Sequence, residues 1–149
     1  MKNVVFIFAI LFLQLGVTAQ DSDVPANVEK ALKAKYPSTE YVDWIVGDHY
    51  VANFWIGELY LEATFDKTGK WLETSTVLEE ANLPSIILDG ITKSLGEHYI
   101  TYIVKIDKND GSSVYIVDAS TDDNSFQVTT DAKGNVLKKE VVEYEDDGF

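Results

Sequence analysis

Two short turns constrain this chain more than any other feature. Asp66-Lys67-Thr68-Gly69 interrupts an alternating apolar run, so that Thr64 to Glu73 reads as strand, tight turn, strand. Asp131-Ala132-Lys133-Gly134 does the same 65 residues later. Laid over itself at that offset, the chain puts Tyr50 on Tyr115, Ala52 on Val117, Phe54 on Ala119, Leu61 on Phe126, Ala63 on Val128 and Leu72 on Leu137. Within the strands the matches fall every second residue, the period of one face of a strand. Upstream the offset becomes 59, where Val24-Pro25 matches Leu83-Pro84, so the first copy carries six extra residues between helix and hairpin. Hairpins resemble one another, and one matched turn would carry little. A Pro-started apolar stretch followed by matched strands in the same order points to an internal repeat.

The periodicity predicts a helix from Pro25 to Tyr36, where Val24, Val28, Ala31 and Leu32 share one side. Pro25 suits a first turn, and Tyr36-Pro37 ends the helix. Strands follow at Tyr41–Val46, His49–Ile56, Leu59–Phe65 and Lys70–Leu78. A second helix runs from about Pro84 to Leu95, and further strands span Tyr99–Asp107, Ser112–Ala119, Ser125–Thr130 and Asn135–Glu143. Turns this short make neighbouring strands antiparallel. The expected fold class is therefore α+β: two tandem repeats, residues 20–80 and 81–149, each one helix packed on a four-stranded antiparallel sheet. The repeats are expected to share a core or a sheet, since units of roughly 60 residues are marginal alone. Each helix covers one face of its sheet, which leaves the other face to solvent or to a ligand.

Residues 1–19 stand apart. Lys2, the apolar run Val4 to Leu15 and the small-residue site Val17-Thr18-Ala19 read as a cleaved signal peptide, giving a periplasmic or secreted chain. No Cys is present, so neither disulfides nor a lipid-modified cysteine is available. The sequence also has no Arg, and without residues 1–19 it carries 11 Lys against 25 Asp and Glu, a net charge of −14. That balance excludes nucleic-acid binding and disfavours an anionic membrane surface. It serves solubility, or a basic partner or divalent cations. Tyr144 to Phe149 reads as a frayed acidic tail.

The residues Val24-Pro25, Val28, Tyr36-Pro37, Trp44, Tyr50-x-Ala52-x-Phe54 and Phe65-Asp66-x-x-Gly69-x-Trp71-Leu72 resemble the PepSY-like, β-lactamase-inhibitor-like family of exported bacterial proteins. The resemblance spans nearly all of residues 20–149, as two units. The second unit departs from the pattern, with no Pro after Tyr99 and no Trp matching Trp44 or Trp71. The resemblance implies a helix on a four-stranded antiparallel sheet in each unit. β-Lactamase inhibitor proteins present the open face of such units to a target enzyme, and PepSY domains of protease propeptides are associated with holding a protease inactive. The resemblance supplies no catalytic residues and no cofactor.

If Tyr50, Ala52, Phe54, Leu61, Ala63 and Phe65 face the helix, Trp55 and Tyr60 face away, and Trp71 joins them if Leu72 and Leu137 are core partners. Asn53, Glu62, Thr64 and Glu73 lie between these aromatics, while the second copy offers Ser120, Ser125 and Val136. Aromatic residues ringed by polar ones are typical of binding hot spots, although aromatics also favour strands for packing reasons alone. The candidate binding face is thus Trp55, Tyr60, Trp71, Asn53, Glu62 and Glu73. His49 and His98 lack the spacing of metal ligands. The loops Asp107 to Gly111 and Asp118 to Asn124 are oxygen-rich, but turn chemistry accounts for them as well as calcium does. No nucleophile elbow or phosphate loop is present. The expected function is a non-enzymatic binding module, an inhibitor or regulator of another exported protein. The alternative is a small-molecule or calcium binder, and a hydrolase is the reading with least support.

Overall fold

The computed structural model describes residues 24–142; the segments read from the sequence as a signal peptide and an acidic tail lie outside them. Helix α1 (Ala26–Lys35) is followed by β1 (Asp43–Val46), β2 (Tyr50–Ile56), β3 (Leu59–Phe65) and β4 (Trp71–Val77). A single 3-10 turn at Glu80–Asn82 leads into α2 (Ser85–Leu95), then β5 (Tyr99–Lys108), β6 (Ser113–Ser120), β7 (Ser125–Asp131) and β8 (Val136–Val142). Pro25 and Pro84 each stand just before their helix in extended backbone, and each carbonyl accepts the first helical hydrogen bonds. Glu29 in the first turn of α1 and Lys33 and Lys35 in its last turn complement the helix dipole.

The expectation of a four-stranded sheet for each unit is corrected, and of the two joins expected, a shared core or a shared sheet, the structure has the sheet. All eight strands form one antiparallel sheet in the order β1 to β8. The join is β4 against β5, where Glu73 pairs with Lys108 and Val77 with Val104. Separate sheets would leave β4 and β5 as open edges with unpaired backbone groups, and pairing removes both edges.

Both helices lie on the same face of this sheet, each over its own half. Val28 and Leu32 of α1 are buried against Ala52, Phe54, Leu61, Ala63 and Phe65. Ile87 and Ile91 of α2 are buried against Ile103, Tyr115, Val117 and Val128. The two clusters do not merge across the middle. There the helix-side positions are polar: Thr74 pairs with Asp107, Thr76 with Lys105, and Asp107 with Ser113. Lys105 and Asp107 form an ion pair at 2.9 Å, and Ser113 Oγ donates to Asp107 Oδ1 at 2.5 Å. The same strands place Val77, Val104, Ile106, Val114 and Ile116 on the opposite, helix-free face. Apolar character thus changes sides at the centre of the sheet.

A second correction concerns β4 and β8. Phe65 pairs with Trp71 and Thr64 with Glu73, so Leu72 is an extra residue in a β-bulge. Thr130 pairs with Val136 and Thr129 with Lys138, so Leu137 is the extra residue of a matching bulge. A one-residue slip exchanges the faces of a strand. Trp71 and Val136 therefore sit on the helix face, not the open one. Leu72 and Leu137 are not core partners; Leu72 is half-buried and Leu137 is 60% exposed.

Candidate functional site

The open face is built from the positions that point away from the helices. Trp55 and Tyr60 stand opposite each other on β2 and β3, with ring centroids 5.2 Å apart and the planes tilted by 58°. That is a favourable edge-on arrangement for an aromatic pair. Trp55 remains 61% exposed. In the same row come Val77, the buried Val104 and Ile116, while Tyr102 stands opposite Asp118 one row to the side away from Glu62. One row to the other side, Asp43, Asn53, Glu62 and Ser75 follow in register, then Ile106 and Val114. Aliphatic side chains thus form a stripe across the middle strands, bordered by aromatics and carboxylates.

Of the residues expected on this face from the sequence, Trp55, Tyr60, Asn53, Glu62 and Glu73 stand on one side of the sheet. Trp71 does not. Its ring packs in the α1 cluster, its Nε1 donates to Thr74 Oγ1 at 2.8 Å, and Lys35 Nζ lies 3.5 Å from its centroid. Tyr36 shares a further hydrogen bond with the same Thr74 hydroxyl at 2.6 Å. Trp71 therefore clamps the end of α1 to the sheet.

Sequence reasoning missed Tyr102, Val104, Ile106, Val114 and Ile116. A signal for them existed. Ile103-Val104 and Val114-Tyr115-Ile116-Val117 are apolar on both faces, a pattern that belongs to strands covered on both sides.

The electrostatics of the face are one-sided. Its carboxylates are Asp43, Glu62, Glu73, Asp118, Asp131 and Glu140, and its lysines are Lys108 and Lys138. Lys138 is engaged with Glu140 at 2.8 Å. Asp118 accepts a hydrogen bond from Gln127 Nε2 at 3.0 Å. Glu62 has no ion-pair partner among the described residues. Burial raises its carboxyl above the usual range, and the neighbouring Glu73 adds to the effect. Burial also raises Tyr60, with contributions from Glu62, Asp43 and Tyr102, and raises Tyr102, with contributions from Asp118 and Glu62. Asn53, directly across from Glu62, has a buried Oδ1 that accepts no hydrogen bond among the described residues.

Glu62 has a consequence for stability. The folded chain holds its proton more tightly than the unfolded chain does. The resulting stability is fully present below the ordinary glutamate range and is lost as pH rises through the raised value. At neutral pH ionised Glu62 is thus a net cost, through its burial first and the Glu73 carboxylate second, on the order of 0.5 kcal/mol at a half-exposed site. Glu62→Gln is expected to raise Tm by about 2 °C at neutral pH. The gain should vanish near pH ~4. Thermal melts of both proteins at the two pH values check this, and a variant that melts lower at neutral pH would contradict it.

Elsewhere the acidic turns are occupied by their own backbone. Asp66 Oδ1 accepts from the Thr68 and Lys70 amides, Asp131 Oδ1 from those of Lys133 and Asn135, and Asp110 Oδ1 from that of Ser112. These carboxyls sit below the usual range, chiefly through side-chain hydrogen bonds from Thr68, Asn135 and Ser112 respectively. Among the described residues no group of three or more His, Asp or Glu is arranged to hold a metal ion.

A single antiparallel sheet with both helices on one face and aromatics on the other defines an α+β protein. The chain belongs to the family described as putative beta-lactamase-inhibitor-like, PepSY-like, which matches residues 48–138. Solved structures share the fold. A BLIP-like protein from Bacteroides fragilis is 25% identical, with a TM-score of 0.70 over 84% of this chain and 91% of that one. A DUF2874 family protein from Bacteroides ovatus is 20% identical, with a TM-score of 0.73 over 85% and 93%. A third, from Bacteroides eggerthii and described as a putative periplasmic protein, is 18% identical, with a TM-score of 0.72 over 80% and 90%. No curated protein sequence matches the chain.

Proposed function

We propose that this protein is an exported, non-catalytic binding module that docks another exported protein on its open sheet face and inhibits or regulates it. The observation that carries the reading is the change of sides at the sheet centre. Val77, Val104, Ile106, Val114 and Ile116 are apolar on a face that no helix covers, beside the exposed Trp55–Tyr60 pair and Tyr102. Val104 is buried by its neighbours and the other four are half-buried, yet no helix covers them, and an interface core is built from aliphatic and aromatic side chains of this kind. Membership of an inhibitor-like family and the BLIP-like relative support the same reading. In it, residues 1–19 are removed on export, and residues 20–80 and 81–149 are two copies of one helix-and-four-strand unit that jointly form the face. The binding set is Trp55, Tyr60, Tyr102, Asn53, Glu62 and Glu73, with Trp71 replaced by Tyr102.

The test uses residues 20–149 as bait for the exported proteins of the source organism, in parallel with a Trp55→Ala/Tyr60→Ala/Tyr102→Ala variant and with Trp71→Ala. The triple variant is expected to lose about 100-fold or more in affinity, since each truncated hot-spot aromatic costs roughly 1–2 kcal/mol or more. Its circular dichroism should be unchanged. Trp71→Ala should lower Tm and leave affinity intact. Retained affinity in a folded triple variant would refute the reading.

A further inference from the structure

We infer that β8 pairs edge to edge with β8 of a second copy of this chain, antiparallel and centred on Lys139, so that two sheets run on as one. This pairing does not depend on what docks on the open face. Its first support is the matching strand β4. At the offset of 65 residues β8 falls on β4, bulge included. The outer edge of β4 is covered by β5, out to the Leu72 carbonyl, which accepts from the Asn109 amide at 2.9 Å. The same edge of β8 has no partner among the described residues. β8 is seven residues long and contains neither Pro nor Gly. Leu137 and Val141 on it are 60% and 56% exposed. An edge of this kind presents unpaired backbone donors and acceptors, a template for another strand.

The second support is self-complementarity. Val136-Leu137-Lys138-Lys139-Glu140-Val141-Val142 runs apolar, charged, apolar from either end. A two-fold axis through Lys139 sets Lys138 of each copy opposite Glu140 of the other, and Leu137 opposite Val141. Unlike charges and apolar pairs that face each other across a ladder stabilise it. An axis through Lys138 or Glu140 would oppose like charges and set charges against apolar side chains. An axis between two residues would bring a helix-side position against an open-side one. Lys138 and Glu140, already paired at 2.8 Å within the strand, become part of a square of four charges of alternating sign. Lys139 meets its own copy at the axis, but its Nζ donates to the Ser94 carbonyl at 3.3 Å and lies 5.5 Å from the Phe126 ring centroid, so its charge is drawn back over its own half.

The opposite edge of the sheet does not fit this role. β1 has four residues. Laid against β8 as β5 lies against β4, it would reach only Val142 and Val141, through Ile45 and Val46. Glu40, Asp43 and Asp48 make that edge acidic, whereas the charges of β8 are two Lys and one Glu. The overall acidity of the chain opposes self-association, and it does so least at β8. Pairing β8 with β1 would also leave an open edge at each end and build filaments, while β8 with β8 closes as a dimer.

Sedimentation of residues 20–149 over a concentration series tests the pairing. A monomer–dimer equilibrium with no larger species is expected. Lys138→Glu and Glu140→Lys each turn both cross-copy pairs into like-charge pairs, and each should weaken the dimer about 10-fold. The double exchange Lys138→Glu/Glu140→Lys makes the pairs unlike again and should return the dimer to within about threefold of its original strength. The chain has no Cys, so Lys139→Cys places a single thiol at the axis. With Cα atoms about 5.5 Å apart in such a pair, a short bifunctional maleimide should link this variant into dimers. Ile45→Cys, on the exposed edge at β1, should stay monomeric under the same treatment. A monomer at every concentration overturns the pairing, as do single exchanges no weaker than the double one, or equal linking of the two thiols. Growth beyond the dimer also overturns it and identifies head-to-tail pairing of the two edges instead.

Discussion

Gly90→Ala and Gly134→Ala are each expected to cost about 3 kcal/mol of stability, a large part of what holds a small domain folded. Helix α2 rests backbone to backbone on the turn between β7 and β8. A Cβ on Gly90 would lie 2.1 Å from the carbonyl oxygen of Gly134, and one on Gly134 would lie 2.2 Å from that of Ile86. Neither oxygen belongs to a flexible side chain, so the helix must lift off the turn. Gly134 also has φ +80°, which an L side chain adopts only at a cost of about 1–2 kcal/mol. Gly111 provides the control, with φ +84° and open space within 4 Å of where a Cβ would stand. Gly111→Ala should lose only the backbone cost, about 1 kcal/mol. Gly69, whose Cβ would meet the Asn27 carbonyl at 2.9 Å, should fall between them. Denaturant midpoints of the four variants check the order. A Gly134→Ala protein as stable as Gly111→Ala would show that the helix does not need this approach.

These contacts also mark how far the sequence could be read. Offsets of 59 for the helices and 65 for the strands carry Asn27 onto Ile86 and Gly69 onto Gly134, so the expected repeat maps one helix–turn contact onto the other. The order of helices and strands was legible because short turns and clean alternation are local signals. The inward faces of β2 and β3 were legible for the same reason. The bulges at Leu72 and Leu137 were not, because alternation counts residues and a bulge adds one without a local signal. That single residue moved Trp71 from the candidate binding face to the underside of α1. The β4–β5 pairing was not legible either, since it joins segments separated by a helix. With it went the apolar stripe, which exists only because Val77, Val104 and Ile116 become neighbours across that join.

Phe65→Ala is expected to cost about 4 kcal/mol, and the loss should appear as one unfolding transition displaced to lower denaturant. Phe65 is fully buried, next to the bulge, with its ring centroid 6.5 Å from that of Trp44 and α1 residues Val28 and Leu32 in the same cluster. Alanine leaves a cavity that the surrounding strands cannot close, because their register is set by the turns at both ends. The cluster under α1 and the cluster under α2 share no buried residue, so the damage is confined to one half. The halves are nevertheless tied through the ladder from Glu73–Lys108 to Val77–Val104 and through the Asn109 amide, which donates to the Leu72 carbonyl at 2.9 Å. Losing the first half would strip β5, a strand of 10 residues, of its neighbour and expose it as an edge, which is why a single transition is expected. Two transitions, one displaced and one unchanged, would instead identify residues 20–80 and 81–149 as independently folding units. The open face would then be an interface between domains as well as a docking surface, and its binding would depend on how rigidly the β4–β5 ladder holds the two halves together.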